Sequence, residues 1–433
     1  MLLKKKLTPG RLIALGFAGV ILLGAGLLML PISINEGQTV TFLDALFTST
    51  SAVCVTGLLT VDLGDTFTIF GRVIVALLIQ TGGLGVSSVG VGIMILAGKR
   101  VGLKERSLVK EGMNHTSSKG IVRLVKAVLL MTLIFESVGM ILSFIVFIQH
   151  YGFWESLGYS AFHTVSAFNN AGMDIFGGGQ GLIPFQDDIL LNLTTCGLII
   201  FGGLGFFVIR DVIQKRSFRK LTLHSKVVLL MTGILLVSGT LLIKLAEREN
   251  ITWLGAFFSS TSARTAGFST FSFGAFSTAG LFIMIMLMFI GASPGSTGGG
   301  IKTTTMFALC KSAYSAATNR HCGAFKRKLP QEVISKAFII TILACTLVAL
   351  DTLLICLFDP QFGFVQVLFE VVSGFATVGL STGITADLSE VSQSILIITM
   401  YIGRLGPLTI ATMWVFRKTQ SHVRYTEESI TIG

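Results

Sequence analysis

The sequence predicts an all-α polytopic membrane protein, with four span–pore helix–span repeats around a pseudo-fourfold pore. Three observations carry this. Hydrophobic residues make up 52% of the 433 residues and charged ones only 13%, whereas a soluble domain needs about 25% charged residues to solvate its surface. Apolar runs long enough to cross a bilayer, about 20 residues, recur along the chain. Four glycine-ending segments superpose: TSTSAVCVTGL (48–58), HTVSAFNNAGM (163–173), SSTSARTAGF (259–268) and EVVSGFATVGL (370–380). Their anchor glycines, Gly57, Gly172, Gly267 and Gly379, stand 115, 95 and 112 residues apart. That period is too long for a stacked solenoid and fits duplication of a whole membrane unit.

The elements follow in order. Repeat one (1–97) has an outer span at 11–31, a pore segment from Phe42 and an inner span at 69–97. Repeat two (98–209) has these at 121–148, Trp154 and 187–209. Repeat three (210–316) has them at 226–245, Trp253 and 277–316, with an intramembrane loop at 291–305. Repeat four (317–433) has them at 334–358, Phe364 and 391–416, followed by a C-terminal tail. Each pore segment is expected to run about 10–12 residues, too short to cross about 30 Å at 1.5 Å per residue. A half-helix that enters and leaves on one side accounts for the length.

Charge supplies the sidedness. Of 33 Lys and Arg, 27 fall in five segments: the N-terminus to Arg11, 98–126, 210–226, 311–336 and 417–424. Of 22 acids, 14 fall in the intervening polar stretches. Basic loops stay cytoplasmic, so eight full spans with both termini cytoplasmic are expected. The net charge of +11 therefore reads as topology, with lipid and no nucleic acid as the surroundings. The first apolar run lacks a small-x-small cleavage site, so it reads as a span and not a signal peptide. The six cysteines show no CxxC or metal spacing.

Irregular backbone at membrane depth is tolerated only where protein buries it or it lines water. Four such loops converging on one axis present carbonyls that replace an ion's hydration shell, and glycine permits the turn and the close approach. The candidate ion-binding residues are Cys54, Val55, Thr56 and Gly57; Asn169, Asn170, Ala171 and Gly172; Thr265, Ala266 and Gly267; and Ala376, Thr377, Val378 and Gly379. Val55-Thr56-Gly57 and Thr377-Val378-Gly379 come closest to a potassium-channel filter. Four ordinary tight turns are the plain alternative, and it leaves their shared register after half-length helices unexplained.

The stretch GASPGSTGGGIKTTT (291–305) looks at first like a phosphate loop. Lys302 follows Ile301 instead of the last glycine, one residue out of the Walker A register, and no βαβ pattern surrounds it. No nucleotide is expected on this chain. Gly291, Gly295, Gly298, Gly299 and Gly300 each disfavour helix by about 1 kcal/mol and Pro294 by about 3 kcal/mol. The chain there is expected to unwind into a movable gate below the filter. The hydroxyls of Ser293, Ser296 and Thr297 would satisfy open backbone beside Ala292, and Lys302 would anchor the cytoplasmic end. A passive kinked helix is the alternative.

The inner spans read GGLG (82–85), GGLG (202–205), IGASPG (290–295) and GRLG (403–406). Arg404 stands where Gly83 and Gly203 stand. A charge at that depth is expensive unless it meets water or a partner. Arg404 is read as a pore-facing electrostatic constriction, or else as half of an ion pair with Glu136 or Asp351. Arg264 would repel a cation if it faced the pore, so it is expected behind the filter, held by Asp44 or Glu370. Acids at the outer ends, Asp62, Asp65 and Asp174 among them, are candidates for concentrating cations at the mouth.

The fourfold layout, SARTAGF, GxSPGSTGGGIKTTT and YIGRLGP together resemble the Trk/Ktr/HKT superfamily of cation transporters, most of all the membrane subunit of bacterial Ktr potassium uptake systems. The resemblance covers nearly the whole chain. It implies a homodimer with one pore per subunit, on a cytosolic ring of nucleotide-binding regulatory subunits with a Rossmann-type domain. It implies the constriction role for Arg404. In the family, serine in place of the first filter glycine goes with sodium preference. Gly57 and its three sisters therefore imply K+ as the substrate ion, with Na+ as a co-ion or activator in some members. A sodium-coupled or less selective transporter of the same fold is the alternative. A membrane enzyme would need clustered His, Cys, Asp or Glu, and the histidines are scattered, with only His163 in a pore helix. A scaffold would fail to take up rubidium.

Overall fold

The computed structural model describes residues 8–112 and 120–413. The N-terminal lysines, part of the 98–126 basic segment, and residues 414–433 with the last basic segment and the end of the fourth inner span lie outside the described residues.

Repeat one comprises α1 (Pro9–Leu28), α2 (Phe42–Cys54), the single turn α3 (Leu63–Thr66), α4 (Ile69–Leu84) and α5 (Val86–Leu96), and α6 (Leu103–Gly112) follows it. Repeat two comprises α7 (Ile121–Phe147), α8 (Phe153–Asn169), α9 (Ile189–Leu204) and α10 (Phe206–Lys215). Repeat three comprises α11 (Leu223–Glu247), α12 (Trp253–Ser262), α13 (Thr278–Phe289) and α14 (Thr303–Ala317). A two-residue hairpin, Gly323–Ala324 against Arg327–Lys328, leads into repeat four. That repeat comprises α15 (Gln331–Phe358), α16 (Phe364–Ala376), α17 (Glu390–Leu405) and α18 (Pro407–Met413).

The outer helices α1, α7, α11 and α15 are each long and apolar enough to cross a membrane. Only 22–33% of their most apolar windows is buried, so most of each apolar surface faces outward, as lipid contact requires. Each packs on its repeat's short helix, and in the first three repeats a glycine of the outer helix lets the two approach. A Cβ on Gly24, Gly139 or Gly239 would strike Ser49, Thr164 or Ser260 respectively. Ser49 Oγ and Ser260 Oγ donate to Ile21 O (2.7 Å) and Leu236 O (3.1 Å) across the first and third of these seams.

The four inner helices are each N-capped by a side chain, from Thr68, Asp188, Ser277 and Ser389. In the last two repeats the preceding outer helix reinforces the cap. Glu247 accepts from Ser277 N (3.0 Å) and Oγ (2.7 Å), and Asp359 accepts from Ser389 N (3.1 Å) and Oγ (2.8 Å).

The inner spans differ from the uninterrupted helices expected at 69–97, 187–209 and 391–416. Each stops after 16 residues at a glycine. Gly85, Gly205 and Gly406 take φ of 83°, 90° and 87° with ψ of 130°, 136° and 133°, a backbone region that side-chain-bearing residues avoid. The chain turns by 101° between α4 and α5 and by 94° between α9 and α10. The second short helix, α8, is also longer than expected, at 17 residues.

Candidate cation pore

Each short helix stops by the same local device. The residues two before the anchor glycines, Val55, Asn170, Thr265 and Thr377, all adopt left-handed φ, at 58°, 61°, 67° and 51°. For Val and Thr this is rare and costs about 1–3 kcal/mol. The next amide then returns to the helix: Thr56 N, Ala171 N, Ala266 N and Val378 N donate to the carbonyls of Ser51, Ser166, Ser262 and Ser373. Those four serines also grip the turns through their hydroxyls. Ser51 Oγ accepts from Gly57 N (2.9 Å), Ser166 Oγ from Met173 N (2.9 Å) and Ser373 Oγ from Gly379 N (3.0 Å), while Ser262 Oγ donates to Phe268 O. Sequence reasoning passed over them, although Ser51, Ser166 and Ser373 each stand six residues before the anchor glycine and Ser262 stands five before its own.

The four turns meet. A Cβ on Gly57 would run into Ala171 O, one on Gly172 into Ala266 O, one on Gly267 into Val378 O, and one on Gly379 into Thr56 O. Repeat one thus touches two, two touches three, three touches four, and four closes on one. Four carbonyls stand against four glycines in a closed ring, with the flanking residues buried.

The stretch 291–302 lies strapped beneath. Ser293 N and Thr297 N donate to Gly203 O (3.1 Å) and Gly202 O (3.3 Å), and Phe206 N donates to Gly295 O (3.0 Å). The break at Gly205 is what frees the Phe206 amide. Ser293 Oγ lies 3.0 Å from Thr303 Oγ1, and Ser296 Oγ donates to Ser293 O (2.6 Å). Two cations hold three successive loop carbonyls. Arg404 donates to Thr297 O, and Lys302 Nζ donates to Gly298 O (2.7 Å) and Gly299 O (3.1 Å). Arg404 also donates to Gly82 O and Gly83 O. A cavity of about 250 Å³ lies against this plug, with Gly298, Lys302, Arg404 and Ser87 in its wall.

Two expectations are corrected. Arg404 pairs with neither candidate acid: Glu136 Oε1 accepts from Asn169 Nδ2 (3.3 Å), and Asp351 Oδ2 accepts from Thr399 Oγ1 (2.6 Å). Nor do Asp44 and Glu370 hold Arg264. Asp44 caps α2 through Thr41 and accepts from Thr60 Oγ1 (2.8 Å). Glu370 accepts from Ser381, Thr382 and Thr385. Each carboxylate is spent on its own repeat's turn. Arg264 is buried, its Nε has no hydrogen-bond partner, and no acid among the described residues pairs with it. It occupies in repeat three the place that Asn169 occupies in repeat two, three residues before the glycine.

Asn169 is a site residue whose partners sequence reading missed. Its Nδ2 donates to Gln80 Oε1 (2.7 Å) as well as to Glu136, tying the end of α8 to α4 and α7. His163 packs between Phe147 and Phe268, with its Nε2 2.9 Å from Thr195 Oγ1. At the mouth, Asp65 Oδ2 and Asp62 Oδ2 accept from Gly178 N (2.9 Å) and Gly179 N (2.7 Å), so they staple two connections together. Asp174, between α8 and α9, has its pKa pushed up to about 6, chiefly by desolvation and then by the charge of Asp62.

A closed ring of carbonyls and glycines inside an apolar helical shell defines an integral membrane protein of the cation-transport class. The comparisons make the class a family. Residues 20–252 and 229–423 match the TrkH family, described as "Cation transport protein", and the chain belongs to it. It is 38% identical to "Ktr system potassium uptake protein B" of Vibrio alginolyticus, over 98% of this chain and 94% of that protein. It is 36% identical to the Bacillus subtilis protein of the same name, over 99% and 97%. "Potassium/sodium uptake protein NtpJ" of Enterococcus hirae is 36% identical over 99% and 98%. The solved potassium transporter TrkH of Vibrio parahaemolyticus superposes with a TM-score of 0.72, covering 96% of this chain and 88% of that one at 18% identity, which establishes the shared fold. These relatives are transporters, not enzymes.

Proposed function

We propose that this chain takes up potassium across the bacterial cytoplasmic membrane through the ring formed at Gly57, Gly172, Gly267 and Gly379. The ring closure, with each glycine against its neighbour's carbonyl, carries the reading. Four sets of backbone oxygens around one axis are what a dehydrated cation requires, and the ring supports that assignment. The names of the Vibrio alginolyticus and Bacillus subtilis relatives point to the same ion. In this reading α2, α8, α12 and α16 are pore helices and the repeats are 1–97, 98–209, 210–316 and 317–433. The inner helices α4, α9, α13 and α17 complete eight spans with cytoplasmic termini, and lipid covers the outer helices.

The loop 291–302 and Arg404 form the gate. A guanidinium directly below a cation filter raises the barrier to exit, and the loop beside it occupies the way out. The chain acts as a homodimer. A cytosolic nucleotide-binding subunit displaces the loop; this part rests on the family resemblance and on the basic cytoplasmic loops.

Potassium flux into liposomes bearing this chain tests the reading, with and without a cytosolic partner and in sodium or sodium-free buffer. No flux under any condition would overturn it. Flux strictly dependent on sodium would favour the second reading, sodium-coupled or less selective transport, which the name of the Enterococcus hirae relative supports.

A further inference from the structure

The glycines of the gate loop fall into two kinds. Gly295 and Gly300 have φ of 72° and 67°, so conformation alone accounts for them. Gly298 and Gly299 do not have positive φ. Their backbone would accept alanine, so space must explain them. A Cβ on Gly298 would collide with Thr265 Oγ1 and lie 3.0 Å from Thr265 Cβ. A Cβ on Gly299 would collide with Thr377 Oγ1 and lie 2.9 Å from Thr377 Cγ2. Beside them Thr297 Oγ1 sits 3.3 Å from Asn170 Oδ1, and Asn170 Nδ2 reaches Thr265 Oγ1 at 3.5 Å.

Asn170, Thr265 and Thr377 are the left-handed residues that end the second, third and fourth short helices. Their backbone turns the chain toward the ring, and their side chains project onto the loop. The Thr377 hydroxyl is buried with no hydrogen-bond partner. Val55, the fourth member of the set, carries no oxygen.

We propose that Thr265 and Thr377, with Asn170 clasping Thr297, are the seat on which the gate loop closes. The resting position of the loop is set from above by the filter's own side chains, and from below by Arg404 and Lys302. Gly298 and Gly299 are glycines because only a backbone without side chains reaches the floor of the filter. This rests on the gate reading and adds its positioning residues.

A bump-and-hole pair tests it in liposomes bearing the full chain without any cytosolic partner, read as rubidium flux. Gly299→Ala wedges the loop off its seat, and overpacking of this kind is expected to raise the unassisted leak about tenfold or more. Adding Thr377→Ala removes the obstruction, and the leak is expected to return to within about twofold of the parent. A non-leaking Gly299→Ala overturns the seat, and so does a double variant that leaks as much as the single one. If Gly299→Ala does not insert, Gly298→Ala with and without Thr265→Ala asks the same question, with only partial rescue expected because Ala292 Cβ lies 2.8 Å from the same position. Deleting residues 296–300 separates the two readings. A leak on deletion without a Gly299→Ala leak removes the seat and keeps the gate, and silence in both removes the gate as well.

Discussion

Repeat three and its three sisters begin from the same inner-helix glycine and use it differently. A Cβ on Gly82, Gly202 or Gly403 would strike Val53 O, Phe168 O or Phe375 O, the end of that repeat's own short helix. There the glycine allows a tight helix–helix contact that braces the end of the short helix. In repeat three the equivalent Gly291 faces Gly299 O, in the loop of its own chain. Pro294 and the glycine run have dissolved the helix that would have continued, and an irregular loop has taken its place. Duplicated scaffolds thus diverge where helix propensity is cheapest to destroy, while the ring above stays symmetric.

The predictions test that contrast, largest effect first. Replacing a ring glycine, Gly172→Ala or Gly267→Ala, drives a side chain into the neighbouring carbonyl, and transport is expected to fall by about 100-fold or more. Rubidium uptake in a potassium-uptake-deficient bacterium measures it; near-normal uptake would mean that the ring is not the ion path. Arg404→Gln leaves the carbonyls of Thr297, Gly82 and Gly83 without their guanidinium, so flux through the unassisted chain is expected to rise severalfold, to about tenfold. Unaltered flux kinetics would remove the arginine from the gate.

Smaller effects probe the bracing. Glu136→Leu removes one of three acceptors around Asn169 Nδ2, leaving Gln80 Oε1 and Val165 O, and is expected to cost about 1 kcal/mol, read as a lowered Tm, whereas Glu136→Gln keeps an acceptor there and costs less. Equal losses in both would show that the carboxylate charge matters and the hydrogen bond does not. The smallest effect belongs to Asp174. Its raised pKa keeps it ionised above about 6 and neutral below. The half-saturating potassium concentration is therefore expected to rise as the outside pH falls from 7 to 5, by less than about threefold. Asp174→Asn should flatten that dependence, and an unchanged pH profile in the variant would exclude it.

Much of the site could be read from the order of residues. The four anchor glycines and the loop were found by register alone, because a duplicated unit repeats its turn chemistry. The gripping serines were in view in the same superposition, needing only the question of what holds each turn shut. Arg264 shows the limit. Asp44 and Glu370 were reasonable partners by charge, yet capping and turn hydrogen bonds within their own repeats claimed both. Glu136 and Asn169 are 33 residues apart in different helices, and no local pattern announces that an amide spans the gap.

What the sequence by itself determined is the class of structure. Apolar length and turn-forming glycines are local properties, and they require membrane-crossing helices and four short helices that each stop at a turn. Tertiary structure decided the partners. Which carbonyl faces each glycine, which cation holds the loop, and that Thr265 and Thr377 stand over Gly298 and Gly299 depend on how the four repeats close around one axis. Contacts across that axis join residues roughly a hundred positions apart or more, where only packing chooses among chemically equivalent donors and acceptors.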